Sequence, residues 1–138
     1  MKDLDKFVSA QNRDYDGALA EIRNGRKQGH WIWYIFPQIS GLGMSSTSAF
    51  YGIENIEQAG QYLKHPILGK RLIEISNAML EINGKTANQI LGNPDDLKLK
   101  SSMTLFSLVK DTHPVFQAVL DKYFKGIPDQ KTIDILNR

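Results

Sequence analysis

The chain has 138 residues, 41% of them apolar, and a formal net charge of +2, which suits one domain, 1–138, around one core and argues against nucleic acid as a partner. It has no cysteine, which excludes disulfides, thiol nucleophiles and thiolate metal sites. The polar N-terminus, Met1-Lys2-Asp3-Leu4-Asp5-Lys6, lacks a signal peptide's apolar centre, and no apolar run nears the roughly 20 residues of a bilayer span, so a cytoplasmic protein without membrane association is expected.

Leu4, Phe7 and Val8, then Tyr15, Ala18, Leu19 and Ile22, recur at helical spacing and predict two short helices before Gly25 and Gly29 punctuate the chain. The run His30-Trp31-Ile32-Trp33-Tyr34-Ile35-Phe36 is apolar or aromatic at nearly every position, which fits a strand or a buried helix equally. Pro37 and Gly41-Leu42-Gly43 end it, and Ser45, Ser46, Thr47 and Ser48 make a polar, cap-rich ordered loop. From Asn55, the residues Ile56, Ala59 and Leu63 mark a helix that breaks at His65-Pro66. Leu68, Leu72, Ile75, Met79 and Ile82 then repeat at alternating four and three spacing, the clearest helix of the chain, ended by Asn83-Gly84.

Thr86 to Leu91 reads as a short helix closed by Gly92. Asn93-Pro94-Asp95-Asp96 combines a capping side chain, a proline suited to the first helical position and acids at the positive end of the helix dipole, so a helix is predicted from there to about Lys110. Its Leu97, Leu99, Met103, Leu105, Phe106, Leu108 and Val109 make it apolar on most sides and therefore central and buried. Thr112-His113-Pro114 opens another helix, with Phe116, Val119, Leu120, Tyr123 and Phe124 inward, until Gly126 and Pro128; Asp129 to Leu136 forms a last turn or short helix. The predicted fold class is all-α, a compact multihelical single domain with central buried helices.

Trp31, Trp33 and Tyr34 lie within four residues of each other and cannot share one face of a helix or strand. They either fill the core, or one ring, with Gln38 and His30 nearby, walls a pocket for a planar ligand. Gly41-Leu42-Gly43-Met44-Ser45-Ser46 has the glycines and hydroxyls of a phosphate-cradling turn without a P-loop lysine or a βαβ context, and simple capping by Ser45 or Ser48 competes with that reading. Along the central helix Asp95, Lys98, Ser101 and Ser102 form a polar stripe, with Thr104 off its edge. Its hydroxyls either bond the carbonyl one turn back or join the lysine in holding phosphate or carboxylate. His30, His65 and His113 show no metal spacing, and the latter two, each before a proline, read as local structural residues. Arg23, Arg26 and Lys27 read as a solvated helix end.

The words His30-Trp31-Ile32-Trp33-Tyr34-Ile35-Phe36-Pro37-Gln38, Gly41-Leu42-Gly43 with Ser45 and Ser48, Tyr51-Gly52-Ile53, Tyr62 to Leu72 and Lys100-Ser101-Ser102-Met103-Thr104-Leu105-Phe106 give the chain a resemblance to the family known as domain of unknown function 1810. The resemblance spans nearly the whole chain and implies a compact multihelical fold, with no established activity. The calpastatin label borne by some relatives does not suit a chain with core-building helices, because that inhibitor is a long disordered repeat protein.

The functional expectation is a site for a small anionic ligand, a nucleotide or ADP-ribose-like molecule, in which Trp31 or Trp33 stacks, Gln38, Gly41 and Gly43 shape the wall, and Ser45, Ser48, Lys98, Ser101 and Ser102 hold the anion. Any catalysis would need an acid or base such as His30 or Asp95 in reach; no cofactor or metal is expected. The alternative is a protein-interaction or self-associating adaptor without catalysis, tested by its oligomeric state.

Overall fold

The computed structural model describes residues 3–138, so Met1 and Lys2, at the head of the polar N-terminus, lie outside the described residues. The first helix, α1 (Asp5–Arg23), replaces the two short ones predicted. Ala10 and the buried Gln11 join Phe7 to Tyr15, Ala18, Leu19 and Ile22 in one continuous stripe, and neither glycine nor proline interrupts it before Gly17. An apolar pattern passes over Gln11 because its burial depends on partners elsewhere: its amide nitrogen donates to the Tyr34 carbonyl at 2.7 Å and to the Tyr62 hydroxyl at 2.9 Å.

The aromatic run resolves as a single helical turn, α2 (Ile32–Ile35). The serine stretch is not a plain loop: Ser45 caps a further turn, α3 (Ser46–Phe50), by accepting from the Ser48 amide at 3.1 Å. Two helices then run to either side of His65-Pro66, α4 (Ile56–Lys64), capped by Asn55, and α5 (Leu68–Glu81). His65 opens α5 as expected of a structural histidine, its Nδ1 accepting from the Ile67 and Leu68 amides at 3.1 and 3.2 Å. Gly69 lets the corner close, since a Cβ there would lie 2.0 Å from the Leu63 carbonyl oxygen.

A capping box of Thr86 and Gln89 starts α6 (Ala87–Leu91). The central helix, α7 (Asp95–Ser107), has Pro94 at its N-cap position, one residue before the first helical position expected for it, with no side-chain cap from Asn93; it stops short of Lys110, where the Thr112 hydroxyl bonds the Phe106 carbonyl at 2.7 Å. His113 Nδ1 accepts from the Val115 amide at 3.0 Å to open α8 (Val115–Phe124), and Asp129 caps α9 (Gln130–Leu136).

These nine helices account for the regular structure among the described residues, and the only sheet-like pairing among them is an isolated parallel bridge between Ile39 and Ile53. No helix of these residues is long and apolar enough to cross a membrane.

α7 is the hub. It packs against α2, α4, α6, α8 and α9, while α5 packs on α1, α4 and α8. From Ser101 to Phe106 every residue is buried, as expected of a central helix, whereas Leu97 and Leu108, expected to be interior, are 53% and 49% exposed because they lie at the ends that leave the core. Phe106 lies between Tyr62 and Phe116, with ring centroids 5.3 and 5.7 Å away, and Tyr62 meets Phe7 edge to face at 5.4 Å. Such ring pairs add to the area they bury, and a side chain this enclosed leaves a cavity when truncated. Phe106→Ala is therefore expected to lower the unfolding free energy by about 3–5 kcal/mol, read as a fall in the urea midpoint with little change in slope.

Candidate functional site

The segment from Gln38 to Gly52, the first turns of α7 and the approach to α9 enclose a cleft of about 780 Å³. Its near wall is pinned by the bridge: the Ser40 amide donates to the Ile53 carbonyl and the Ile53 amide to the Gln38 carbonyl, both at 2.8 Å. The approach is close enough that a Cβ on Gly52 would meet the Ser40 Cα at 3.0 Å and its Oγ at 2.1 Å. The far wall is held by Asp129. Its carboxylate accepts from the Thr132 amide at 3.1 Å, the Thr132 hydroxyl at 2.6 Å and the Ser101 hydroxyl at 3.1 Å, while its own amide donates to Thr104 Oγ1 at 2.8 Å.

Inside, the Lys98 ammonium sits 4.8 Å from the centroid of the Trp33 ring. It is also 3.6 Å from one oxygen of Asp95, whose other oxygen pairs with Lys27 at 2.8 Å. Lys100 and Lys131 also line the cleft and form no ion pair among the described residues. Asp129 is the one acid of the lining, and all three of its side-chain hydrogen bonds converge on one oxygen, Oδ2. The interior therefore carries an excess of positive charge over walls that include Ile39, Leu42, Tyr51 and Leu97.

Of the residues singled out from sequence, Trp33, Gln38, Gly43, Ser45, Ser48, Lys98 and Ser101 line this cleft together. The others lie elsewhere. Trp31 is 3% exposed, packs on Phe36 and donates its indole N–H to Glu21 at 3.0 Å. Ser102 is fully buried because α7 has by then entered the core, and its hydroxyl has no hydrogen-bond partner among the described residues. Gly41 is outside the lining, and Asp95 stands behind it, bracketed by its two lysines. Ser101 divides its hydroxyl between the Leu97 carbonyl one turn back and Asp129. Lys27, read as part of a solvated helix end, is instead 8% exposed at its side chain.

Lys100, Lys131, Tyr51 and Leu97 join the cleft without having been predicted. Lys100 lies off the polar stripe in helical projection, and Lys131 reaches the cleft only through the packing of α9 on α7, which leaves no local signal.

His30 belongs to a second, smaller hollow of about 350 Å³ between α1 and α2, together with Arg13, Asp14, Glu21 and Tyr34. Tyr34 donates to the Asp14 carboxylate, a bond that holds Asp14 below the ordinary carboxylate range. Burial and the same carboxylate raise the Tyr34 phenol, which therefore stays protonated. Burial pushes Glu21 upward, but N–H donors from Gly29, Gln28 and Trp31 with the nearby Lys27 outweigh it, so its carboxyl also titrates low. Glu21 thereby folds the 28–31 turn around itself, accepting from Gln28 and Gly29 at 2.6 and 2.8 Å.

A family model described as "Protein of unknown function (DUF1810)" matches residues 1–136. The crystal structure of the conserved hypothetical protein Rv1873 from Mycobacterium tuberculosis is similar at a TM-score of 0.96 and 45% identity, over 99% of this chain and 97% of that one. No curated protein gives a match.

Two outcomes follow from the electrostatics. Asp95→Asn leaves the nearly enclosed Lys27 ammonium without its carboxylate and is expected to cost about 1–3 kcal/mol. Replacing both partners, as Lys27→Met with Asp95→Leu, costs less than the sum of the single changes in a double-mutant cycle. A carboxyl held low in the folded state contributes stability above its ordinary pKa, near 4.3 for glutamate, and loses it as pH falls through the folded value. Glu21→Gln should thus lower the thermal midpoint at pH 7 and flatten its decline between about pH 5 and 3.

Proposed function

Since the chain belongs to the DUF1810 family of proteins of unknown function, we propose a role from its own cleft: it binds a small anionic ligand bearing a planar ring, a nucleotide or an ADP-ribose-like molecule. The observation that carries this reading is Trp33 under the Lys98 ammonium, beside two further lysines with no carboxylate of their own. At about 780 Å³ the cleft falls within the roughly 300–1,000 Å³ of small-molecule sites, which pair apolar walls with a few converging polar groups.

The magnitudes favour an exchange on ligand entry. A cation–π contact at a partly exposed ring contributes about 0.5–1 kcal/mol, whereas a stacked base contributes about 1–3 kcal/mol. Lys98 can therefore leave the Trp33 face to an incoming ring and move to the ligand's anion, where a charge-assisted bond replaces the contact it gave up. Lys100 and Lys131 extend the anion site. The reading is one of binding without a chemical step, because His30 opens onto the other hollow and Asp95 is occupied by lysines.

A second reading rests on the rim. Met44, Leu97 and Ile127 line the cleft and are 102%, 53% and 56% exposed, side chains that a protein partner or a second copy of the chain would cover.

A thermal-shift screen of nucleotides, sugar phosphates and inorganic anions tests the first reading, since a ligand that prefers the native state raises its melting temperature. Trp33→Leu is expected to weaken the best ligand by roughly 5- to 150-fold, and Lys100→Ala with Lys131→Ala to weaken it further and reduce its salt dependence. Silence throughout the screen, with sedimentation showing mass that grows with concentration, would transfer the cleft to the second reading.

A further inference from the structure

We infer that the ring this cleft selects is adenine, read by the side-chain amide of Gln38; the inference rests on the small-anion reading above and goes further by naming the base. Gln38 follows Trp33 by five residues, and its backbone is fixed at the bridge by the bond from Ile53 to its carbonyl at 2.8 Å. Its half-buried side chain lines the cleft and makes no hydrogen bond among the described residues. Gln11 holds Tyr34 and Tyr62, Gln58 accepts from the Glu54 amide, and Gln89 accepts from the Thr86 amide, whereas Gln28 and Gln61, whose side chains are also without hydrogen bonds among the described residues, lie outside the cleft. Gln38 is thus a carboxamide on a backbone pinned at the bridge, sharing the cleft with the Trp33 ring, with its donors and acceptor unclaimed.

A carboxamide offers an N–H donor and a carbonyl acceptor side by side. Adenine presents the complement on one edge, the N7 acceptor next to the N6 amino donor, whereas guanine presents two acceptors, N7 and O6, on the same edge. One carboxamide can satisfy both adenine groups, but with guanine its carbonyl would face the O6 oxygen. The competing reader is Lys98, whose ammonium only donates and would suit guanine. Asp95 at 3.6 Å and the ligand's own anion both draw Lys98 from that task, which leaves Gln38 to set the preference.

The test uses the full chain and isothermal titration with ADP, GDP and inorganic pyrophosphate. The expected result is ADP binding roughly 5- to 150-fold tighter than GDP, with pyrophosphate weaker than either. Gln38→Leu should bring the ADP-to-GDP ratio close to one and leave pyrophosphate unchanged; Gln38→Arg, which supplies two donors, should turn the preference toward GDP. Urea midpoints of both variants near that of the parent show that the fold is intact, as expected for a side chain without intramolecular partners. Equal ADP and GDP affinities in the parent, or a preference for ADP that survives Gln38→Leu, would overturn the adenine inference while leaving the ring-and-anion site standing. Nucleotides that bind no better than pyrophosphate would remove the ring site, and adenine with it.

Discussion

A line of touching rings organises this protein. Tyr51 meets Phe7 at 5.6 Å, Phe7 meets Tyr62, Tyr62 meets Phe106, and Phe106 meets Phe116, so aromatic contacts thread the end of α3, α1, α4, α7 and α8 in turn. The rings are rigid and individually large, and their positions fix the spacing of the helices that carry them. At its outer end the line reaches the cleft, because Tyr51 both lines the cavity and packs on Tyr34 at 5.1 Å. Gln11 ties α2 to the same line through the Tyr34 carbonyl and the Tyr62 hydroxyl. The cleft wall is therefore an extension of the core and inherits its stiffness.

Charge is arranged with similar economy. The two tryptophans of α2 and its cap each lie under a lysine, Trp31 under Lys27 at 5.0 Å and Trp33 under Lys98 at 4.8 Å, and Asp95 stands between the two ammonium groups. The Lys27 contact is short and enclosed; the Lys98 contact is longer and more open. Attraction over a longer distance through water is the weaker, so Asp95 anchors Lys27 firmly and holds Lys98 loosely. One lysine is part of the framework, and the other stands at the cleft, 27% exposed and held at 3.6 Å.

What could be read in the amino-acid order divides along physical lines. α5 was legible because its apolar spacing is regular and His65-Pro66 and Gly84 mark its surroundings. The buried course of α7 was legible because Leu99, Met103, Leu105 and Phe106 lie on several sides of its axis, although Ser101, Ser102 and Thr104 are buried with them. The continuity of α1 was not, because it passes through Gln11, a polar residue whose burial depends on groups more than twenty positions away. The aromatic run was ambiguous in principle, since one helical turn and a strand bury such a run alike, and its partners decided it. Seven of the ten residues expected at the site share one cleft, because Trp33, Gln38, Gly43, Ser45 and Ser48 sit on one short stretch and Lys98 and Ser101 on the first turns of α7. Trp31 and Ser102 do not, since neighbouring residues on a turn or on an enclosed helix point to different surroundings. Lys131 carried no local mark at all, because its place depends on how α9 docks.

The unequal settings of the two indoles have an optical consequence. One is sealed, at 3% exposure, beneath a lysine immobilised by Asp95 and the Gly29 carbonyl; the other borders a cavity beneath a cation with freedom to depart. Indole emission responds to nearby charge and to water, so the first supplies a steady baseline and the second a variable signal. A molecule that entered the cleft beside the second indole would therefore alter its emission against the steady signal of the first, with neither an attached dye nor an engineered probe.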